Sequence, residues 1–329
     1  MKSNTINELY EIYAPIKEGL SRVEDNFKAL VEDKKESFPE LYDMLVHVLA
    51  GGKAVRPALT FLAGSCFDYN LDRLLPMATA SELLHISTLV HDDAIDKADT
   101  RRNRQTVNKL WGIEKAVLFG DFLFARAGEF AAATDNITVV RLFSGTLQII
   151  SSGELKQSFG AFSLDQSFDK YLERIGGKTA SLMSMATESG AILSQASEKE
   201  VRALEKYGYN LGLAFQIVDD ILDFTGDEKK MGKPVGSDLV QGTVTLPSLL
   251  LLKYHPDDNP LAEIFKSKDK QKSVKRAVAM VLDSTIIDEC YRIAEDYKNK
   301  ACRELDRLPD NIGRKCLLKL ADYVIERNR

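Results

Sequence analysis

The chain has 329 residues, 44% of them hydrophobic and 28% charged, with a formal net charge of −5. This is the composition of a globular protein; there is no basic block or basic–aromatic interleaving for nucleic acid, and no run reaches the roughly 18 apolar residues of a membrane span. Met1–Leu20 lacks the apolar core of a signal peptide, and Cys66, Cys290, Cys302 and Cys316 form no CxxC pair, so they read as reduced thiols of a cytoplasmic protein.

No proline falls between Pro76 and Pro234. That interval is filled with Leu, Ala, Glu, Lys and Ile at helical spacing, with few β-branched alternations, which predicts an all-α chain. Hairpin signals, low-complexity linkers and internal repeats are not found, so residues 1–329 read as a single helical domain.

In chain order, the first stretch with chemistry is Gly51–Pro57, GGKAVRP. Paired glycines before Lys53 and Arg56, with Pro57 just beyond, suit a turn entering a helix, where free amides and two cations can hold a phosphate. Next, Glu82 and His85 form an ExxH pair. A di-iron carboxylate site needs a second such pair on another helix, and the sequence has none.

Leu83–Asp96, LLHISTLVHDDAID, is an apolar helix interrupted by Asp92, Asp93 and Asp96. Residues four apart on a helix lie about 40° from each other and neighbours about 100°, so Asp92 and Asp96 share a face, with His85 two turns back along it. Asp93 points elsewhere. Lys97–Asn103 follows, with Arg101 and Arg102 able to aim two guanidinium forks at two anions.

Gly176-Gly177-Lys178-Thr179 lacks both the upstream glycine and the preceding strand of a nucleotide-binding loop, and reads instead as a helix start carrying Lys178 and Thr179 toward a cavity. Leu211–Phe224, LGLAFQIVDDILDF, repeats the first acidic pattern: an oily helix broken by Asp219, Asp220 and Asp223, with Gln216 one turn before Asp219 on nearly the same face. Lys233 follows on a Gly/Pro-rich stretch. Uncompensated carboxylates in such helices cost several kcal/mol or more each, so they must be neutralised, paired or bound to metal. Mg²⁺ takes a few carboxylates, several waters and substrate phosphates. Two such faces opposed across a cleft would hold Mg²⁺ and a diphosphate between them.

Together, GGKxxRP, ExxHxxxLxHDDxxD followed by RR, GGKT, and AFQIxDDxLD followed by GKPxGxDL and TLP resemble the trans-isoprenyl diphosphate synthases, also called polyprenyl synthetases. The motifs run in family order from residue 51 to residue 247. The resemblance implies an all-helical bundle with a central cavity, a homodimer, and head-to-tail condensation of isopentenyl diphosphate onto an allylic diphosphate. It places Lys53, Arg56, His85 and Arg102 on isopentenyl diphosphate. Arg101, Lys178, Thr179, Gln216 and Lys233 go to the allylic substrate, whose diphosphate is also held through Mg²⁺ by Asp92, Asp96, Asp219 and Asp223. Lys178, Thr179 and Gln216 border the reacting carbons, and Asp93 and Asp220 support their neighbours.

Two positions depart from the family pattern: Ala54, where Arg is common, and Thr243, where Lys is common. Ser87 and Thr88, small residues just before Asp92 where makers of short products carry an aromatic ring, predict an open tunnel and a product of about seven or more isoprene units. A C20 product is the alternative, as is a non-catalytic partner subunit, which would be expected to lack some of these residues. A terpene cyclase would need neither GGKxxRP nor His85.

Overall fold

The structure is a computed structural model, and it describes residues 2–101, 103–226, 234–266 and 270–326. Helices α1 (Lys2–Tyr13), α2 (Lys17–Glu32), α3 (Pro39–Leu49) and α4 (Val55–Gly64) lead into the long α5 (Leu71–Ile95). A two-residue hairpin, β1 (Thr100–Arg101) and β2 (Arg104–Gln105), precedes α6 (Val107–Trp111), α7 (Ile113–Ala132), α8 (Ile137–Gly160) and α9 (Phe168–Ile175). One π-helical turn, Gly176–Ala180, joins α9 to α10 (Ser181–Leu193), and α11 (Glu198–Thr225) follows. The chain continues through α12 (Ser237–Val240), α13 (Leu246–Tyr254), α14 (Leu261–Lys266), α15 (Gln271–Leu282), α16 (Ile286–Glu304) and α17 (Ile312–Glu326). The all-α expectation holds. Among the described residues no helix is long and apolar enough to cross a membrane, and the four cysteines are free thiols.

The long helices are closed by local chemistry. The Asn70 side chain accepts the Arg73 amide at the start of α5, and the Glu200 carboxylate accepts the Ser197 amide at 2.8 Å at the start of α11. Lys97, with φ of 52°, turns the chain left-handed and ends α5 just past its aspartates.

Two apolar cores share the molecule. One gathers side chains of α2, α4, α5, α7, α8, α10 and α17, and the other those of α9, α13, α15 and α16. Helix α11 belongs to both: Leu204 and Leu211 lie in the first, Ile217, Val218, Ile221 and Phe224 in the second. The last four surround the second acidic motif. Burying each contributes about 1.5–3 kcal/mol, enough together to offset a buried carboxylate that is hydrogen-bonded.

Helix α10 packs along α11 and α4, and α5 along α7. Glycines set these distances: a Cβ on Gly208 of α11 would stand 2.6 Å from the Met183 carbonyl oxygen of α10, and one on Gly190 of α10 2.3 Å from the Thr60 carbonyl oxygen of α4.

The hairpin corrects the expectation that the chain has none. Its two-residue ladder pairs Thr100 with Gln105 and Arg101 with Arg104. Asn103 beside the turn takes φ of 62°, a conformation Asn tolerates. So short a ladder leaves no alternation to read. It is tethered by His47, whose ring nitrogen meets the Gln105 carbonyl at 2.8 Å.

Candidate active site

On α5, His85, Thr88 and Leu89 are half-buried amid otherwise buried residues, Asp92 retains 9% exposure and Asp96 is exposed. These positions are separated by three, four and seven residues and form one accessible stripe. On α11 the corresponding stripe is Phe215, Gln216, Asp219 and Leu222, all half-buried.

Asp93, about 100° away, is buried and clasped by Arg101, whose Nε donates to both carboxylate oxygens at 2.8 and 3.0 Å. Burial pushes the Asp93 carboxyl up, and the Arg101 guanidinium opposes it. The hairpin that carries Arg101 is thereby fastened to α5. Asp220 is likewise withdrawn: it accepts the Tyr171 hydroxyl at 2.8 Å and the Gln216 amide at 2.9 Å. Burial, reinforced by the Asp238 charge, pushes it up to about 7 despite those donors.

Asp223 is 1% exposed. It accepts the Ser237 hydroxyl at 2.7 Å and the Asp238 amide at 3.3 Å, so residues 237–238 cover it while Asp219 remains accessible.

The GGKT stretch is not a helix start. It is a π-helical turn between two helices, the kind of irregularity that re-aims side chains at functional sites. The Lys178 ammonium reaches Asp92 at 3.0 Å and Glu154 of α8 at 2.7 Å. Burial works against that ammonium, but Asp92 and Glu154 outweigh it and hold it above its ordinary value. The next residue, Thr179, donates its hydroxyl to Gln216 Oε1 at 2.7 Å. The two aspartate helices are therefore linked through Asp92, Lys178, Thr179, Gln216 and Asp220. Gly212 makes this possible, because the π-helical turn, at Ala180, and α11 approach closely one turn before Gln216.

Lys53 sits in the expected turn, in which Gly51, Gly52 and Ala54 all have positive φ, of 86°, 130° and 46°. Its ammonium lies 5.8 Å from the Tyr323 ring centroid and its carbonyl accepts the Tyr13 hydroxyl at 3.1 Å. Arg56 is buried in the first turn of α4, beside Pro57. Gly52 approaches Glu82: a Cβ there would be 3.8 Å from Glu82 Oε1, which brings the turn to α5 near His85. Arg102 and Lys233 lie outside the described residues.

Two residues at the site were not singled out in the sequence. Glu154 follows a glycine in the half-exposed part of α8, as Glu129 does in α7, so nothing in the sequence set it apart. Nor did anything mark Tyr171, since an aromatic residue in a short helix reads as core.

Ser87 departs from the tunnel expectation. It is fully buried, and its hydroxyl donates to the Gly120 carbonyl of α7 at 2.7 Å, so it belongs to a helix contact. Thr88 is the residue on the accessible stripe. A cavity of about 900 Å³ lies beside α8, bordered by Gln157, Gly177, Ser184 and Tyr209; the aspartates of the two motifs do not line it.

Residues 38–281 match the Polyprenyl synthetase family. The chain belongs to the polyprenyl synthetase family. As a polyprenyl synthetase it is a prenyl-transferring enzyme. It is 36% identical over 322 residues to "Heptaprenyl diphosphate synthase component 2" of Geobacillus stearothermophilus, covering 98% of this chain and 99% of that one. The crystal structure of heptaprenyl diphosphate synthase from Staphylococcus aureus superposes with a TM-score of 0.89 at 36% identity, covering 95% of this chain and 98% of that one. Polyprenyl synthase from Caulobacter crescentus CB15, solved with calcium and isoprenyl diphosphate, gives 0.89 at 32% identity with 98% of both chains covered.

Proposed function

We propose that this polyprenyl synthetase condenses isopentenyl diphosphate head-to-tail onto an allylic diphosphate, forming an all-trans product of about seven or more isoprene units, in keeping with its heptaprenyl-synthase relatives. The observation that carries the reading is the linkage of the aspartate helices through Lys178 and Thr179, which gathers carboxylates, a cation and oriented dipoles into one site.

The donor set fits Mg²⁺. Lys178 already occupies a position between two carboxylates that calls for a cation, and every candidate ligand is a hard oxygen. Among the described residues no three Asp, Glu, His or Cys side chains form a ready ligand cluster. Mg²⁺ needs only one or two carboxylates per ion, the rest of its shell being waters and phosphate oxygens. Asp92 and Asp96 from α5 would hold such ions on one side, and Asp219 with, once uncovered, Asp223 from α11 on the other. Bound there, Mg²⁺ would neutralise charge on the diphosphate.

Breaking an allylic C–O bond leaves charge on the departing diphosphate and a delocalised carbocation. Lys178, Arg101 and Lys233 bind the departing group and stabilise its charge. Thr179 has committed its proton to Gln216, so only its oxygen lone pairs face the cation. Lys53, Arg56, His85 and Arg102 bind the second diphosphate and hold the homoallylic double bond against the cation. The departing diphosphate takes the proton lost after bond formation. Closure of the apolar helices excludes water, which would otherwise trap the cation.

We read the chain as one catalytic domain acting in the cytoplasm. Leu155 and Phe159, four apart and so on one face of α8, expose 61% and 90% of their surface, and we assign this face to a homodimer.

The test is incubation of purified protein with Mg²⁺, labelled isopentenyl diphosphate and each primer from C5 to C20, followed by sizing of the products. Labelled products of C35 or longer are expected. No incorporation with any primer would refute the reading, and a ladder ending at C20 would refute the chain length.

A further inference from the structure

Glu154 takes no part in the chemistry above, yet its carboxylate is the nearer of the two that hold Lys178. Helix α8 meets the π-helical turn where Gly153 lies against Gly177: a Cβ on Gly153 would be in ordinary contact with the Gly177 backbone, at 3.8 Å. One ammonium is thus placed between carboxylates from different helices, and only Asp92 belongs to an aspartate triad. The side chains of Lys178, Glu154 and Asp92 are 32%, 21% and 11% exposed, so solvent screens these charges incompletely.

We propose that Glu154 is the positioning residue for Lys178, receiving its ammonium when Asp92 turns to a divalent cation. The inference rests on the reading of Asp92 as a metal-facing carboxylate. An ammonium 3.0 Å from an Asp92 oxygen occupies lone pairs that a metal would use, and the two cations repel one another. With Glu154 at 2.7 Å, a small rotation of the flexible lysine stem releases Asp92 while the charge stays paired beside the diphosphate position. Without Glu154, Asp92 is the one carboxylate paired with Lys178 among the described residues, and metal loading must strip the lysine of its partner.

Titration calorimetry of Mg²⁺ into the full-length protein with inorganic pyrophosphate tests this without turnover. Glu154→Gln is expected to weaken apparent Mg²⁺ affinity about fivefold, and in a Lys178→Met background the same change is expected to shift it less than about twofold. An undiminished effect in that background would mean Glu154 acts on the metal directly and would overturn the proposal, as would wild-type affinity in Glu154→Gln. Failure of the wild-type protein to bind Mg²⁺ with pyrophosphate would instead overturn the reading of Asp92. Circular dichroism verifies that each variant is folded. Should Glu154→Gln fail to fold, Glu154→Asp, which withdraws the carboxylate by one methylene, is expected to give an intermediate loss; unchanged affinity there would count against the proposal.

Discussion

The Tyr171 hydroxyl donates to the Asp220 carboxylate across 2.8 Å, and both side chains are almost wholly enclosed, at 1% and 3% exposure. The middle aspartate of the second motif is thus tied to α9, while its neighbour Asp219 stays accessible. Two adjacent carboxylates have different surroundings because they lie about 100° apart on one helix.

Tyr171→Phe removes that donor without changing shape. Asp220 then keeps only the Gln216 amide among the donors described for it, so a loss of about 1–3 kcal/mol is expected, typical of a buried acceptor left short of a partner. Urea denaturation with an unchanged slope would register it as a shifted midpoint; a midpoint within error of wild type would show the contact to be dispensable.

Gly212→Ala should also destabilise, by about 1–3 kcal/mol, since its methyl would meet Ala180 at 2.5 Å. By separating the π-helical turn from α11 it stretches the Thr179–Gln216 hydrogen bond, so turnover should fall as well. Gly145→Ala in α8 is the control: nothing lies within 4 Å, and alanine there is expected to stabilise the helix by about 0.5–1 kcal/mol.

Thr88→Tyr is expected to shorten the product. Thr88 is on the α5 stripe with His85 and Asp92, one turn from the latter, whereas Ser87 is occupied in the contact with α7. Chromatography of the dephosphorylated products decides the matter, and an unaltered length distribution would remove position 88 from the tunnel.

Glu188 on α10 governs a pH effect apart from the catalytic groups. Burial, reinforced by Glu205, raises its carboxyl from 4.5 to about 7. Between those values the folded protein holds a proton that the unfolded chain has released. The associated stability is complete below the unfolded value and is lost as pH rises through the folded one. Glu188→Gln should flatten this slope and gain on wild type between about pH 5 and about pH 8, as measured by denaturant midpoints. Parallel profiles for the two proteins would exclude Glu188 as the source.

The helical architecture was legible because apolar residues at helical spacing and a long proline-free interval leave few alternatives. The aspartate motifs were legible for a related reason: three carboxylates in an oily helix demand an explanation wherever the helix is placed. The π-helical turn at Gly176–Ala180 was not, since its extra residue arises from how α9 and α10 meet the groups around them. Nor was the hairpin at Thr100–Gln105, too short for any pattern and held in place by His47, more than 50 residues earlier.

Spacing along a helix is an angular quantity, so the order of residues alone determined that Asp92 and Asp96 share one face, that Asp219 and Asp223 share another, and that Asp93 and Asp220 point away. Partnership across helices depends on distances between segments remote in the chain. That Lys178 lies between Asp92 and Glu154, that Tyr171 supports Asp220, and that Ser87 faces α7 while Thr88 remains on the accessible stripe were decided only by packing, where glycines such as Gly212 let the helices close to within contact of one another.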